Sequence, residues 1–119
     1  MAWTIGDQGF RMRLSAYVPR LLEQGITEAL TPLLGEKMDH WAIHPGGRAI
    51  LDKVEQALSL PVDALAASRD VLRDYGNMSS ATILFVLKAV QEQAAVGERI
   101  LAVAFGPGLT IESAALTRV

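Results

Sequence analysis

The sequence contains no cysteine, which excludes disulfides, thiolate metal sites and a cysteine nucleophile from within the chain. It also lacks a gathered basic patch. Its 11 Lys and Arg stand against 13 Asp and Glu, for a formal net charge of -2, and the cations are scattered. Neutralising a phosphate backbone needs clustered cations, so nucleic acid is not an expected partner. No apolar run reaches the roughly 20 residues that a membrane-crossing helix needs. The opening segment, Met1-Ala2-Trp3-Thr4-Ile5-Gly6-Asp7, has neither a basic start nor a long apolar core and does not read as a secretory signal. No Gly-rich phosphate loop precedes a lysine, the carboxylates are spread along helical faces, and His40 and His44 are the only histidines. Metal and nucleotide sites are therefore not expected, and a reducing cytoplasm is compatible with the absent thiols.

What is present is apolar. Half of the 119 residues are hydrophobic and a fifth are charged, with a mean hydropathy of +0.26. A chain of this length can bury about two-thirds of the surface its unfolded form exposes. It is thus long enough for one core, and some remaining apolar surface is expected to meet another chain or domain. Every predicted connection is short and no repeat is visible, so residues 1–119 read as one domain.

Periodicity supplies the elements. Phe10, Arg11, Met12, Arg13 and Leu14 alternate apolar and basic, which predicts a first strand from Gly9 to Ser15. Leu21, Leu22, Ile26, Ala29, Leu30, Leu33 and Leu34 recur at steps of three and four, predicting an amphipathic helix over 18–34, with Pro19 tolerable in its opening turn. The stretch His40 to His44 reads as a strand stopped by Pro45-Gly46-Gly47. Ile50, Leu51, Val54 and Leu58 share a helical face. A further helix is expected to begin at Pro61 and to end at Gly76 in the left-handed conformation. Ser79 or Ser80 is the expected cap of a helix whose body, Ala81 to Val90, is apolar nearly all round and so should be enclosed by protein. Ile100 to Phe105 and Leu109 to Leu116 read as a hairpin about Gly106-Pro107-Gly108. The order is βαβαααββ, an α/β layered unit.

Polar or conformationally unusual residues fall at the ends of these elements in His44-Pro45-Gly46-Gly47, Gly76-Asn77-Met78-Ser79-Ser80 and Phe105-Gly106-Pro107-Gly108. An accessible imidazole at His44 could act as a base or a donor. The Asn77 amide could donate to an oxygen gaining negative charge without itself titrating. Taken singly, each has a commoner explanation: a histidine that ends a strand, a turn asparagine, a hairpin turn.

Taken together, the blocks Trp41-Ala42-Ile43-His44-Pro45-Gly46-Gly47, Ala49-Ile50-Leu51-Asp52, Asp74-Tyr75-Gly76-Asn77-Met78-Ser79-Ser80-Ala81 and Phe105-Gly106-Pro107-Gly108-Leu109-Thr110 resemble the C-terminal part of type III polyketide synthases, the chalcone synthase family. The resemblance implies the C-terminal half of a thiolase-like fold, a mixed sheet packed with helices. It implies that His44 and Asn77 match two members of a Cys-His-Asn triad, whose cysteine belongs to a preceding region outside these residues. It further implies substrate-lining roles for Phe10, Met12, Ser79, Phe105, Gly106 and Pro107, and a place for Ala49 beside the pantetheine arm of coenzyme A. The implied substrates are acyl-CoA and malonyl-CoA, with no cofactor besides these thioesters. The implied partners are the cysteine-bearing N-terminal half and a second copy in a homodimer. Without the cysteine, the 119 residues alone are expected to be inactive. Met12 falls where many plant members carry phenylalanine, Arg48 replaces a common proline, and Ala104 replaces the glycine before Phe105. Two other readings stay open: a non-catalytic association module, and a domain of the related ketoacyl-carrier-protein synthases.

Overall fold

The computed structural model describes the backbone of residues 2–7, 9–13, 18–33, 37–106 and 110–119. Strands β1 (Ala2–Gly6) and β2 (Gly9–Arg13) form an antiparallel hairpin in which Trp3 pairs with Met12 and Ile5 with Phe10. Helix α1 (Val18–Leu30) follows and tightens into a 3-10 turn over Thr31–Leu33. Strand β3 (His40–Ile43), α2 (Arg48–Ala57), α3 (Ala66–Tyr75), a 3-10 turn (Ser79–Ala81), α4 (Thr82–Gln93), β4 (Arg99–Gly106) and β5 (Thr110–Thr117) complete the order.

The second sheet has the order β3-β4-β5, with β3 parallel to β4 and β4 antiparallel to β5. A parallel pair needs a long crossover, and α2, α3 and α4 together supply it. Side chains on a strand alternate between faces, and the core divides accordingly. Ile43, Leu101 and Val103 pack with Ile26 and Leu30 of α1 and with Ile50, Leu51 and Val54 of α2. Ala42 and Ile100 pack with Ala67 and Val71 of α3 and with Val86 and Val90 of α4. Helices thus cover both faces of a mixed sheet, the α/β layering expected from the sequence.

Strand β3 stops for the expected reason. The His44 N–H still donates to the Val103 carbonyl at 2.8 Å, but Pro45 has no N–H to continue the ladder. The Gly46 N–H turns back onto the His44 carbonyl at 3.0 Å, and the Leu51 N–H reaches the Gly47 carbonyl at 3.1 Å, opening α2.

Several local expectations are corrected. Residues Ala2–Gly6 form a strand that periodicity does not predict, so the order is ββαβαααββ. Strand β2 spans Gly9–Arg13, and the rest of the expected strand, Leu14 and Ser15, lies outside the described residues. Pro61 does not begin a helix. The N–H groups of Ala64 and Ala66 donate three residues back, to Pro61 and Asp63, in a tight turn that buries Leu65, and α3 starts only at Ala66. Gly76 ends α3 with positive φ, as expected, but its ψ of -169° is extended and not left-handed helical. Neither serine caps α4: its N-cap position is Ala81, with no side-chain cap hydrogen bond, Ser79 sits at φ +62° and is not in the extended conformation an N-cap side chain needs, and Ser80 lies inside the 3-10 turn. Thr82 meets the loop's polar groups instead. Finally, α4 buries Thr82, Val86 and Val90 but leaves Leu84 65% and Phe85 43% exposed. Its apolar outer face is left uncovered by the described residues.

Candidate active site

His44 and Asn77 reach one place from separate elements. His44 leaves β3 where Pro45 breaks the ladder, and Asn77 follows Gly76 in the loop between α3 and α4. Gly46 joins them. The Asn77 carboxamide nitrogen lies 3.4 Å from the Gly46 carbonyl oxygen, and a Cβ at Gly46 would sit 3.7 Å from the His44 ring carbon Cδ2 and 4.0 Å from Nε2. The same Cβ would meet Ile50 Cδ1 at 3.1 Å, so the glycine lets α2 pack closely here, while the imidazole and the carboxamide both lie beside the same residue. At Gly47 a Cβ would meet nothing within 4 Å, which leaves that side open.

The carboxamide is oriented by chemistry. The Ser79 N–H can only donate, and it does so to Asn77 Oδ1 at 2.9 Å. The other end of the amide is therefore the Nδ2 donor. Its hydrogen bond to Gly46 is long, so this donor is aimed at the site without being firmly spent there.

The imidazole is half-buried, and burial holds its pKa below the ordinary histidine value because desolvation disfavours the imidazolium. A neutral ring keeps one N–H donor and one lone pair. With a neutral amide beside it, the arrangement can stabilise an oxygen that acquires negative charge, and the ring can also accept or return a proton.

The other residues singled out from the sequence are distributed as follows. Ser79 belongs to the group through its N–H. Ala49 lies exposed in the first turn of α2, just beyond Gly47. Phe105 packs partly buried against the core on the α1 and α2 side of the sheet. Gly106 closes β4 opposite Thr110. Phe10 and Met12 are positions of β2. Pro107 lies outside the described residues. A separate cavity of about 540 Å³, lined by residues that include His40, Trp41, Leu60, Ala64 and Val90, lies at the opposite end of β3 from His44.

Two hydroxyls escaped the sequence reading. Thr82 and Ser68 are both fully buried and both bond to backbone of the site segments. The available signal was a lone hydroxyl on an otherwise apolar helix face: Ser68 among Ala67 and Val71, and Thr82 ahead of Val86 and Val90.

A mixed sheet layered between helices, with a histidine at a strand end and an asparagine ahead of a helix beside it, defines an α/β layered domain. Over residues 1–119 the chain matches the family of chalcone and stilbene synthases, C-terminal domain, and it belongs to that family. It is 38% identical to Type III polyketide synthase A of Arabidopsis thaliana, across 89% of this chain and 30% of that protein. It superposes on the crystal structure of PKS-I from the brown alga Ectocarpus siliculosus with a TM-score of 0.85 and 28% identity, across 99% of this chain and 35% of that one. The chain therefore spans about a third of the length of these relatives. Among the described residues, no helix is long and apolar enough to cross a membrane.

Proposed function

We propose that the domain supplies the histidine and asparagine of a decarboxylating condensation site, acting with a cysteine carried on another part of the enzyme. In this reading the cysteine thiolate attacks an acyl-CoA thioester, releases coenzyme A and holds the acyl group as a new thioester. Malonyl-CoA then loses carbon dioxide. The electron pair left behind becomes an enolate, whose oxygen takes hydrogen bonds from the His44 ring N–H and from Asn77 Nδ2. The enolate carbon attacks the enzyme-bound thioester, a carbon–carbon bond forms, and the thiolate departs.

The observation that carries this reading is the convergence of His44 and Asn77 on Gly46. Family membership supports it, and so does the burial that disfavours the imidazolium of His44. Acyl-CoA and malonyl-CoA are the substrates in this proposal, no resident cofactor is required, and the setting is cytoplasmic. The uncovered face of α4, with Leu84, Phe85 and the neighbouring Tyr75 exposed, favours a chain that works docked on the cysteine-bearing part, in an enzyme that is a homodimer. Alone, these residues hold no nucleophile and should release no polyketide.

The test is substitution in an enzyme that joins this domain to its cysteine. His44→Gln or Asn77→Ala should lower malonyl-CoA decarboxylation by about a hundred- to a thousandfold, the typical loss for one such donor, with the fold retained. Near-normal turnover in both variants rejects the assignment.

A further inference from the structure

Ser68 and Thr82 are the polar residues fully enclosed among the described residues, and each spends its hydroxyl on backbone next to a site residue. Ser68, on α3, donates to the Ile43 carbonyl at 2.7 Å, the peptide oxygen directly before His44. Thr82, the first residue of α4, accepts the Met78 N–H at 2.7 Å and donates to the Ser79 carbonyl at 2.8 Å. The loop between Asn77 and α4 is thereby pinned from inside the core.

The pin matters because of what it holds. Ser79 has a φ of +62°, a left-handed conformation that residues with a Cβ seldom adopt. Its N–H is the donor that orients the Asn77 carboxamide. The order of dependence runs from the Thr82 hydroxyl to the Ser79 peptide, from there to Asn77 Oδ1, and so to the Nδ2 donor near Gly46 and His44. A hydroxyl on a buried helix face is costly unless paired, whereas valine of the same shape would pack there without that cost. Packing alone does not explain a threonine at this position.

We propose that Thr82 and Ser68 are positioning residues, Thr82 acting through Asn77 and Ser68 through His44. The inference rests on the reading of the site given above. In the whole condensing enzyme, Thr82→Val should lower kcat for malonyl-CoA decarboxylation by about ten- to a hundredfold, the scale of loss from a misplaced catalytic group, while KM stays close to that of the parent and the melting temperature falls only as far as the loss of two hydrogen bonds requires. Thr82→Ser, which keeps the hydroxyl, should restore most of the rate. On an Asn77→Ala background, Thr82→Val should cost less than about twofold more, because residues that act through one another are non-additive. Ser68→Ala should behave in the same way against His44→Gln.

A Thr82→Val enzyme with parental kcat overturns the inference while Asn77→Ala remains crippled, and so does a Thr82→Val loss that adds in full to that of Asn77→Ala. If Asn77→Ala itself turns over normally, the reading of the site falls first and this inference with it. Should Thr82→Val fail to accumulate as folded protein, Thr82→Ala is read by the same criteria.

Discussion

His40 and His44 stand at the two ends of one short strand and live under opposite rules. His40 Nε2 lies 3.1 Å from the Glu98 carboxylate. That carboxylate also accepts the Ala95 N–H, and these two bonds, the backbone one foremost, hold its pKa below the ordinary range. Next to it, Asp39 accepts the Arg99 N–H at 2.9 Å, the main reason its carboxyl is likewise held low. At the other end no carboxylate approaches His44 among the described residues. Pro45 follows it in the chain, a Cβ at Gly46 would lie within 4.0 Å of its ring, and burial holds its pKa below the ordinary value. One histidine is consumed in fastening the start of β3 to the loop before β4; the other is left uncommitted. A group that must engage a transient charge has to be of the second kind.

The sharpest way to break this contrast is to remove each ring in turn. In the whole enzyme, His44→Gln should lower decarboxylation by about a hundredfold or more, and His40→Gln should leave kcat within about twofold of the parent. Equal losses in a steady-state assay would show that the two ends do not differ in the way their surroundings imply. Next in size is Gly76→Ala. The pair of φ 72° and ψ -169° is a region essentially reserved for glycine, so the substitution should cost about 1–3 kcal/mol by denaturant unfolding and displace the Asn77 loop. A cost near zero would show that the loop can rearrange without consequence.

A smaller effect is expected from pH. Because burial lowers the folded pKa of His44, the unfolded chain takes up the proton first as pH falls below about 6.5. Stability should therefore be insensitive to this group above that value and decline below it, towards the folded pKa. His44→Gln should flatten that part of the pH–stability curve, and an unchanged slope would place the ring in water. In the whole enzyme a thiolate beside the ring would favour the imidazolium and raise its pKa, which an NMR titration of the His44 ring with and without the cysteine-bearing part would read directly. The smallest change belongs to Glu98→Gln. The His40 pair is partly exposed and pairs of that kind contribute little, so the melting temperature should barely move at moderate salt.

Much of this was legible in the sequence, for identifiable reasons. Alternation and three-four spacing located α1, α2, β3 and the β4-β5 hairpin, since each presents one clear face to the core. Strand β1 was missed because Trp3 and Ile5 are too brief an alternation to stand out, and the strand exists only through its pairing with β2. Pro61 carries the signature of a helix start and makes a tight turn instead, a choice decided by where Leu65 can be buried. The apolar circumference of α4 predicts enclosure, whereas among the described residues Leu84 and Phe85 stay exposed on its outer face. At the site, His44 and Asn77 were visible as residue types at element ends, but their meeting at Gly46 was not. That meeting depends on how far α2 and α3 carry the chain before it returns. Thr82 is masked in the sequence by serines that stand where a cap is expected, and only the positive φ of Ser79 and the 3-10 turn that takes in Ser80 show why they do not serve.

The parallel pairing of β3 with β4 has a kinetic side. Ile43 finds Val103 only after the three intervening helices have folded back, so the strand that delivers the imidazole is completed by a contact between segments remote in sequence, the sort that forms slowly. During synthesis on the ribosome, the chain would carry its histidine well before it had anywhere to hold it. Competence in such a domain should arrive abruptly, when β4 takes its place beside β3.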